Sequence, residues 1–441
     1  MASELHKDSN ILIVGGGTWG CSTALHLARR GYVNVTVLDG HPIPSAISAG
    51  NDVNKIVETA LPTDGQDEES VRQALRAAAG HGWANDPVFS PYYHDTGLII
   101  AASTPEGLKH VLEEEIGSQA DDFTKLSTAQ DFKDTMPRGV LTGDFTDWKG
   151  FYKPKGAGWT HARKSLESAY NEAKRLGVTF IAGPHEGQVL NLIHIEGDVR
   201  GAKTADGREH VADRVILTAG ASAALLLDLE NQVRPTAWTL GHIQMTPEEA
   251  KLYKNLPVLF NVERGFFMEP DEDLNQLKFC DEHPGYCNWM QDPRAKIPTS
   301  VPFAKHQVPL QSERRMRQFL KDIMPHLAER PLVHARICWC ADTRDRNFLI
   351  TYHPRHPSLV VASGDSGMGF MQIPSIGGFI SDCLESKLEP RFAKFWRWRP
   401  ETVPEFWGDD PLDRYGAENK MMDLQAAAAE GWTNIDEASK S

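Results

Sequence analysis

A glycine-rich turn near the N-terminus constrains the fold of this chain more than any other feature. The run GGGTWG at residues 15–20 follows the short apolar stretch Ile11–Val14 and precedes a helical pattern. This is a G-x-G-x-x-G motif between a strand and a helix, which is where dinucleotide binding requires it. Gly15 permits a tight turn, Gly17 lets the backbone approach a pyrophosphate, and Gly20 lets the helix pack against the strand. The sequence therefore predicts an N-terminal β-α-β unit that binds a dinucleotide.

The second predicted strand, Val33–Leu38, leads into an acidic residue. Asp39 lies about 20 residues after the motif, where a carboxylate accepts a hydrogen bond from a ribose hydroxyl and disfavours a 2′-phosphate. Thr18 and Trp19 stand at the start of the helix, whose free N–H groups and partial positive charge attract phosphates. The unit alone does not distinguish FAD from NAD, so a flavoprotein and an NAD-dependent dehydrogenase both remain open here.

The composition excludes several kinds of partner. The chain has 441 residues and a formal net charge of −14, so it offers no broad basic surface for nucleic acid. Its longest apolar run, Val215–Leu227, is shorter than the ~20 residues that span a bilayer. Six irregularly spaced cysteines indicate neither a disulfide framework nor a zinc site, and no other metal-ligand spacing stands out. We therefore expect a soluble chain without a bound metal, in a reducing compartment.

The pattern of apolar segments predicts two interleaved domains. The buried strand Val215–Leu217 returns to the nucleotide-binding unit and Leu359–Ala362 adds a last strand, whereas Thr236–Phe303 is aromatic, proline-punctuated and strand-like. We expect an α/β fold of the two-domain α+β type, in which a Rossmann-like domain is interleaved with a mixed-sheet substrate-binding domain. The expected limits are 1–90, 150–230 and 335–441 for the first domain and 91–149 and 231–334 for the second. Helices are predicted over residues 67–79, 106–116, 159–176, 313–327 and 376–388.

Four separated segments carry a resemblance to a known family. They are DGHPIPSAISAGNDVNK at 39–55, DEHPGY at 281–286, CWCADT at 338–343 and DRYG at 413–416. The first resembles the N-terminal signature of the fructosyl amino acid oxidases, or amadoriases, which are relatives of monomeric sarcosine oxidase. The resemblance covers nearly the whole chain, and it implies that the dinucleotide is FAD and that the Rossmann-like domain binds it.

The resemblance also implies a covalent bond between the flavin 8α position and a cysteine. In the family, this cysteine is followed by a threonine five residues later and by an aspartate seven residues later. Cys338 fits this pattern through Thr343 and Asp345, whereas Cys340 does not. Judged from chemistry alone, a cysteine here is more often a small buried hydrophobic residue. The link to FAD through Cys338 therefore rests on the resemblance.

Three residues match the catalytic positions of the family. Lys278 matches a lysine over the flavin face that assists oxygen reduction, where a positioned ammonium stabilises developing negative charge. Glu282 matches a carboxylate that faces the substrate amine and sugar hydroxyls, and Arg414 matches a guanidinium that grips the amino-acid carboxylate. Without the resemblance, the sequence favours a solvated side chain for Lys278, a surface acid beside His283 for Glu282 and a surface ion pair with Asp413 for Arg414.

Further contacts with FAD and the substrate are implied at other positions. The FAD contacts fall on Ser48, Lys55, Val189, Asp342, Gly369, Phe370 and Met371, and the substrate contacts on Trp238 and Gly367 as well as Glu282 and Arg414. Taken singly, such residues are also typical of a helix cap, a surface charge, a core tryptophan or a glycine turn.

Met371 departs from the family pattern, because several members have a lysine there that helps to hold the sugar or the amino acid. An uncharged, flexible side chain removes one polar constraint near the ligand. We therefore expect tolerance of α-fructosyl dipeptides such as fructosyl-valyl-histidine.

The activity that the resemblance implies is the oxidation of a fructosyl amino acid by O2 to glucosone, the free amino acid and hydrogen peroxide. An oxidase of sarcosine, pipecolate or another N-alkyl amino acid is an alternative, as is a non-catalytic sensor that binds FAD or NAD. We expect a monomer in the cytoplasm. The C-terminal residues 439–441, SKS, are similar to a peroxisomal signal except at the last position, which leaves peroxisomal import open.

Overall fold

The computed structural model describes residues 4–291, 298–408, 410 and 420–435. Its strands, numbered along the chain, are β1 Ile11–Val14, β2 Val35–Asp39, β3 Lys55–Glu58, β4 Tyr93–His94, β5 Leu98–Ala102, β6 Thr124–Leu126, β7 Lys149–Lys153, β8 Ala157–Thr160, β9 Thr179–Ala182, β10 Val189–Ile195, β11 Asp198–Thr204, β12 Glu209–Val211, β13 Arg214–Leu217, β14 Arg234–Gln244, β15 Val258–Asn261, β16 Gly265–Phe267, β17 Gln276–Cys287, β18 Trp289–Met290, β19 Thr299–Ser300, β20 Leu332–Asp342, β21 Leu349–His353, β22 His356–Ser363 and β23 Met422–Asp423.

The α-helices are α1 Thr18–Arg29, α2 Glu68–Asn85, α3 Pro105–His110, α4 Ala129–Lys133, α5 Ala162–Arg175, α6 Ala223–Leu226, α7 Pro247–Leu252, α8 Leu310–Ile323, α9 Ile376–Leu384, α10 Pro390–Trp396 and α11 Leu424–Ala427. Short 3₁₀ or π turns lie at Ser90–Tyr92, Val111–Ile116, Gly117–Asp122, Gly220–Ser222, Pro325–Leu327 and Pro400–Thr402. Among the described residues, no helix combines the length and the apolar character that crossing a membrane requires.

The first sheet contains the predicted nucleotide-binding unit. Its strands run in the order β21-β22-β13-β1-β2-β9, and neighbours pair in parallel except β21 with β22. The residues of β1 and β13 are buried throughout, as is typical of parallel strands that are covered on both faces. Helix α1 packs against α5 and α9 on one of these faces. The predicted β-α-β unit is confirmed, and so is the return of Val215–Leu217, which pairs with β1.

The second sheet is larger and mixed. Its strands run in the order β20-β14-β17-β16-β15-β5-β7-β6, with β23 beside β17. Alternate residues of a strand point to opposite faces, and one face packs against α8 in a core that includes Ile243, Phe279 and Phe319. The prediction that the strand-like segment from Thr236 onward forms a separate sheet is confirmed. The opposite face of β14, β17 and β20 carries the polar residues of the site described below.

The prediction of a helix over residues 159–176 is wrong at its start. Strand β8 occupies the first residues, and α5 begins only after them. Trp159 pairs with Ile56 of β3 on one side and with His94 of β4 on the other. The sheet pairing therefore decides the conformation there, in agreement with the preference of aromatic side chains for strands.

Helix α2 continues past residue 79, where its predicted end lies. Trp83 is fully buried in this extension, and a Cβ added to Gly82 would lie 2.4 Å from the Cβ of Pro374. Burial and close packing thus outweigh the low helix propensity of glycine.

The predicted domain limits stay a prediction. Strand β20 pairs with β14 in the larger sheet, although the limit at residue 335 assigns most of this strand to the FAD-binding domain. Strand β7 also pairs within the larger sheet, and the limit at residue 150 passes through it. Sheet pairing therefore favours one domain boundary after β7 and another after β20.

Candidate active site

A groove of about 340 Å³ lies at the carboxyl ends of β1, β2 and β13. Ligands of open α/β sheets bind at this end of the strands. The predicted FAD contacts that line the groove are Gly15, Gly17, Thr18, Trp19, Asp39, Ser48, Val189, Gly369 and Phe370. Residues that are far apart in the sequence thus form the walls of one groove.

The three motif glycines fit a bound dinucleotide in different ways. A Cβ on Gly15 would lie 2.6 Å from the carbonyl oxygen of Thr218, and a Cβ on Gly20 would lie 1.8 Å from that of Gly15. At Gly17, the nearest atom to such a Cβ is Oγ of Ser48 at 3.4 Å, an ordinary van der Waals contact, and this glycine lines the groove. Helix α1 begins there without a side-chain cap, so no capping side chain competes with a phosphate for its first N–H groups. The pyrophosphate of FAD fits this arrangement.

Asp39 supports the turn as well as lining the groove. One carboxylate oxygen accepts a hydrogen bond from the Gly16 N–H at 2.7 Å, and the other accepts one from the His41 N–H at 2.9 Å. Burial raises the pKa of Asp39, although both N–H groups act in the opposite direction. Each oxygen keeps a further lone pair, so the acceptor role toward a ribose hydroxyl is compatible with these two bonds.

The loop that follows β22 forms the opposite wall. The indole N–H of Trp19 donates to the Gly369 carbonyl at 3.2 Å in the interior, which ties α1 to this loop. Asp365 accepts hydrogen bonds from the N–H groups of Ala341, at 2.7 Å, and Gly367, at 3.3 Å. Gly367 has a φ of +81°, a left-handed conformation that favours glycine. The loop is thus joined to both α1 and β20.

Nine side chains of the larger sheet define what we call the active-site face. Cross-strand register aligns His242 with Lys278 and with His334, so side chains at alternate positions of the three strands share one face. The face comprises Trp238, Leu240 and His242 on β14, Lys278, Cys280 and Glu282 on β17, and His334, Arg336 and Cys338 on β20. Three predicted catalytic or cofactor residues, Lys278, Glu282 and Cys338, therefore stand on the same surface, and Trp238 borders them.

Lys278 is a buried ion-pair partner rather than a solvated lysine. Its side chain is 1% exposed, and its ammonium donates to Asp52 at 2.7 Å and to the Asn54 carbonyl at 2.9 Å. The same oxygen of Asp52 accepts from the Lys55 ammonium at 2.8 Å, and Nζ of Lys55 lies 3.9 Å from Sγ of Cys338. Both predicted lysines thus converge on one carboxylate beside the predicted flavin-linked cysteine.

Asp52 and Arg336 are residues of this site that the sequence did not single out. Burial alone would raise the pKa of Asp52, but Lys278, Lys55 and Arg336 outweigh it and hold this pKa well below its usual range. The guanidinium of Arg336 donates to the carbonyls of Ala46 and Ser48 at 3.3 Å each. The only signal in the sequence was position, since Asp52 lies three residues before Lys55 and Arg336 two residues before Cys338.

Two predicted FAD contacts have other surroundings. Asp342 is fully buried at the end of β20 and accepts a hydrogen bond from the Thr236 hydroxyl at 2.6 Å. The carbonyl of Met371 accepts a hydrogen bond from the Trp83 indole N–H at 2.7 Å. Met371 also borders a second, small cavity, as does Arg76. Neither residue belongs to the groove lining, and their contact with FAD stays a prediction. Arg414 lies outside the described residues.

Comparison with known proteins agrees with this geometry. The family model for FAD dependent oxidoreductase matches residues 10–383. The crystal structure of fructosyl amine:oxygen oxidoreductase (amadoriase I) from Aspergillus fumigatus is 56% identical, with a TM-score of 0.95 over 99% of this chain and 100% of that one. Fructosamine oxidase (amadoriase II) from the same organism is 49% identical, with a TM-score of 0.91 over 99% and 100%. L-saccharopine oxidase of Schizosaccharomyces pombe is 31% identical over 89% of this chain and 93% of its own length.

The comparisons cover both the groove, with its glycine turn and uncapped helix, and the lysine-bearing face beside it. The chain therefore belongs to the FAD-dependent oxidoreductase family and, within it, to the amadoriases.

Proposed function

We propose that this chain oxidises the C–N bond of fructosyl amino acids to an imine and reduces O2 to hydrogen peroxide. Water then hydrolyses the imine to glucosone and the free amino acid. The observation that carries the proposal is the presence of Lys278, Glu282 and Cys338 on one sheet face. The dinucleotide groove lies beside this face, since Ser48 lines the groove and its carbonyl accepts from Arg336 of the face. Identity of 56% to amadoriase I over nearly the whole chain supports the same activity.

FAD, when bound, supplies the two-electron acceptor for the C–N oxidation and passes the electrons on to O2. The protein residues then have separate tasks. Glu282 orients the secondary amine and the sugar hydroxyls, and Arg414 binds the carboxylate of the amino acid through its planar guanidinium. Trp238 and Gly367 border the substrate. The ammonium of Lys278 stabilises the negative charge that develops on oxygen, and its burial makes this interaction stronger than it would be in water.

Cys338 is the proposed point of covalent attachment of FAD. Its thiol is buried on the active-site face, next to the positive charge of Lys55. Gly15, Gly17, Thr18, Trp19, Gly20 and Asp39 hold the dinucleotide, and Ser48, Lys55, Val189, Asp342, Gly369, Phe370 and Met371 are the further proposed contacts.

The test of the function is an anaerobic reduction of the purified enzyme. We expect a yellow protein that bleaches when fructosyl valine is added and regains its colour when air is admitted, with formation of hydrogen peroxide. A yellow protein that fructosyl valine leaves unchanged, but that sarcosine or pipecolate bleaches, would contradict the proposal. A colourless protein would contradict the FAD assignment itself.

A second candidate substrate class is that of N-alkyl amino acids without a sugar. It is favoured by the 31% identity to the L-saccharopine oxidase of Schizosaccharomyces pombe. A substrate panel that contains L-saccharopine, sarcosine, pipecolate and fructosyl valine separates the two classes by their kcat/KM values. The amadoriase proposal requires the highest value for fructosyl valine.

We also propose that α-fructosyl dipeptides are accepted, because Met371 carries no charge at a position where the resemblance implies a lysine that helps to hold the ligand. Turnover of fructosyl-valyl-histidine tests this point, and activity on fructosyl valine without any activity on the dipeptide would contradict it. The proposed monomeric state is tested by light scattering of the purified chain, and the proposed cytoplasmic location by imaging of a tagged chain with its own C-terminus free.

A further inference from the structure

Asp52 is a wholly buried carboxylate that two lysines share. The side chains of Asp52 and Lys278 are each 1% exposed, and that of Lys55 is 21% exposed. One oxygen of Asp52 accepts from both ammonium groups, at 2.7 Å from Lys278 and 2.8 Å from Lys55. The carboxylate of Asp52 therefore links the two ammonium groups.

Charged and titratable groups on β3, β14, β17 and β20 lie close to Asp52 or to the lysines that pair with it. They are Lys55 on β3, His242 on β14, Lys278 and Cys280 on β17, and His334, Arg336 and Cys338 on β20. Burial lowers the pKa of His242 to about 4 and that of His334 to about 3, so both rings are neutral near pH 7. In this set of residues, Asp52 is the carboxylate that offsets part of the positive charge of Lys55, Lys278 and Arg336. Removing one partner of a buried ion pair leaves an uncompensated charge.

The backbone of the same segment is anchored to the active-site face. Lys278 donates to the carbonyl of Asn54, and Arg336 donates to those of Ala46 and Ser48. Ser48 also lines the dinucleotide groove. The segment that carries Asp52 therefore joins the groove to the sheet face, and it aligns Lys55 with Cys338.

We propose that Asp52 is a positioning residue, which holds the Lys278 and Lys55 ammonium groups side by side on the face that receives the flavin. The step that depends on this positive charge is the reduction of O2, and the inference rests on the proposed oxidase function in that respect. Because the carboxylate keeps the Lys55 amine protonated, this step keeps its rate as the pH rises. Asp52 acts through the lysines and contacts neither substrate nor oxygen.

The behaviour of Lys55 explains why an amide could not replace the carboxylate. Burial alone lowers the pKa of Lys55, but the attraction of Asp52 reverses this and raises the pKa above its ordinary value. In an Asp52→Asn variant the burial remains, the attraction is lost, and Lys278 and Arg336 repel the ammonium. We expect Lys55 to lose its proton at a lower pH in this variant.

The experiment compares the holoenzyme with Asp52→Asn, Asp52→Glu and a matched control, Asp281→Asn. Asp281 is equally buried on β17 and pairs with Arg315, but its side chain points to the opposite face. Each protein is reduced anaerobically with fructosyl valine and mixed with O2 between about pH 6.5 and about pH 9.5, which brackets the titration of a lysine that has lost its anion. In parallel, acetic anhydride modifies exposed amines over the same range, and peptide mass spectrometry measures acetylation of Lys55.

We expect the reoxidation rate of the wild type and of Asp281→Asn to be nearly independent of pH. In Asp52→Asn the reoxidation rate should fall about tenfold per pH unit above the pH at which the Lys55 amine loses its proton. Lys55 should also be acetylated at least several-fold faster than in the wild type. Asp52→Glu should restore the flat profile. A purely structural role predicts equal effects in the two Asn variants, without a new pH dependence.

An Asp52→Asn variant with a flat profile and the wild-type rate of Lys55 acetylation would overturn the inference. Failure of fructosyl valine to reduce the wild type would instead contradict the proposed function. The acetylation of Lys55 would still decide whether Asp52 controls the charge of this lysine, because this readout does not involve turnover.

Discussion

At the scale of single residues, Cys338 and Cys340 form a natural matched pair. They lie two positions apart on β20, both are buried, and both point to the same face of the strand. We predict that Cys338→Ala releases its flavin into the supernatant after acid precipitation, whereas Cys340→Ala keeps a yellow pellet like the wild type. The absorbance of pellet and supernatant measures the outcome. A yellow pellet from Cys338→Ala would contradict the assignment of the covalent link.

Lys278 is the second residue whose role a substitution can isolate. We predict that Lys278→Met slows the reaction of the reduced enzyme with O2 by roughly 10²- to 10³-fold, as for loss of other positioned electrostatic groups. Anaerobic reduction by fructosyl valine should change much less. Lys321→Met, at a half-exposed position on α8, is the control and should behave as the wild type. Equal loss in both half-reactions would show that Lys278 serves the fold or the substrate instead of oxygen.

At the scale of elements, substitutions in the turn between β1 and α1 distinguish a glycine that the fold requires from one that cofactor binding requires. A Cβ on Gly20 would collide with the backbone of Gly15, whereas a Cβ on Gly17 would meet only Ser48 at 3.4 Å. We therefore predict that Gly20→Ala destabilises the protein by roughly 1–3 kcal/mol, the usual range for overpacking. Gly17→Ala should unfold at nearly the wild-type temperature as the apoprotein and yet bind little FAD. Thermal unfolding and flavin content distinguish the two, and a normal flavin content in Gly17→Ala would contradict its proposed role.

Elements also mark where prediction from the sequence succeeded and where it failed. The strand-glycine-helix unit was predicted correctly, because its apolar periodicity and glycine spacing are local. The strand at Trp159 was missed, since its conformation depends on pairing with Ile56 and His94, which are distant in the sequence. The extension of α2 was missed for a similar reason, because Pro374 packs against Gly82.

At the scale of the whole molecule, buried histidines predict a loss of stability in mild acid. Burial lowers the pKa of His242 and His353 from 6.5 to about 4 and that of His334 to about 3. The unfolded chain then binds more protons than the folded one, so acid favours unfolding. The contribution of these histidines to folding stability is complete above pH 6.5. It is lost as the pH falls toward their pKa values in the folded protein.

We predict that the unfolding temperature decreases steadily from about pH 7 to about pH 4.5, as measured by calorimetry. The decrease should be smaller in a His353→Gln variant, which removes one buried histidine on β21 of the first sheet, outside the active-site face. The Arg330 guanidinium holds the pKa of Glu249 at about 2, so that pair contributes to acid sensitivity only below its ordinary pKa of 4.5. An unfolding temperature that stays constant down to about pH 5 would contradict the prediction.

The sequence by itself determined the nucleotide-binding unit, the separate strand-rich segment and, through its resemblance to the amadoriases, the family. These features depend on spacing within short stretches, where each residue meets neighbours in the chain. Only the tertiary structure decided that Asp52 would join Lys55 to Lys278, because 226 positions separate Asp52 from Lys278. It likewise brought Arg336 to the carbonyls of the segment around Ser48. A buried charge is stable only beside a compensating charge or hydrogen-bond partner. Sheet register determines which distant residues become neighbours, and therefore which partner is available.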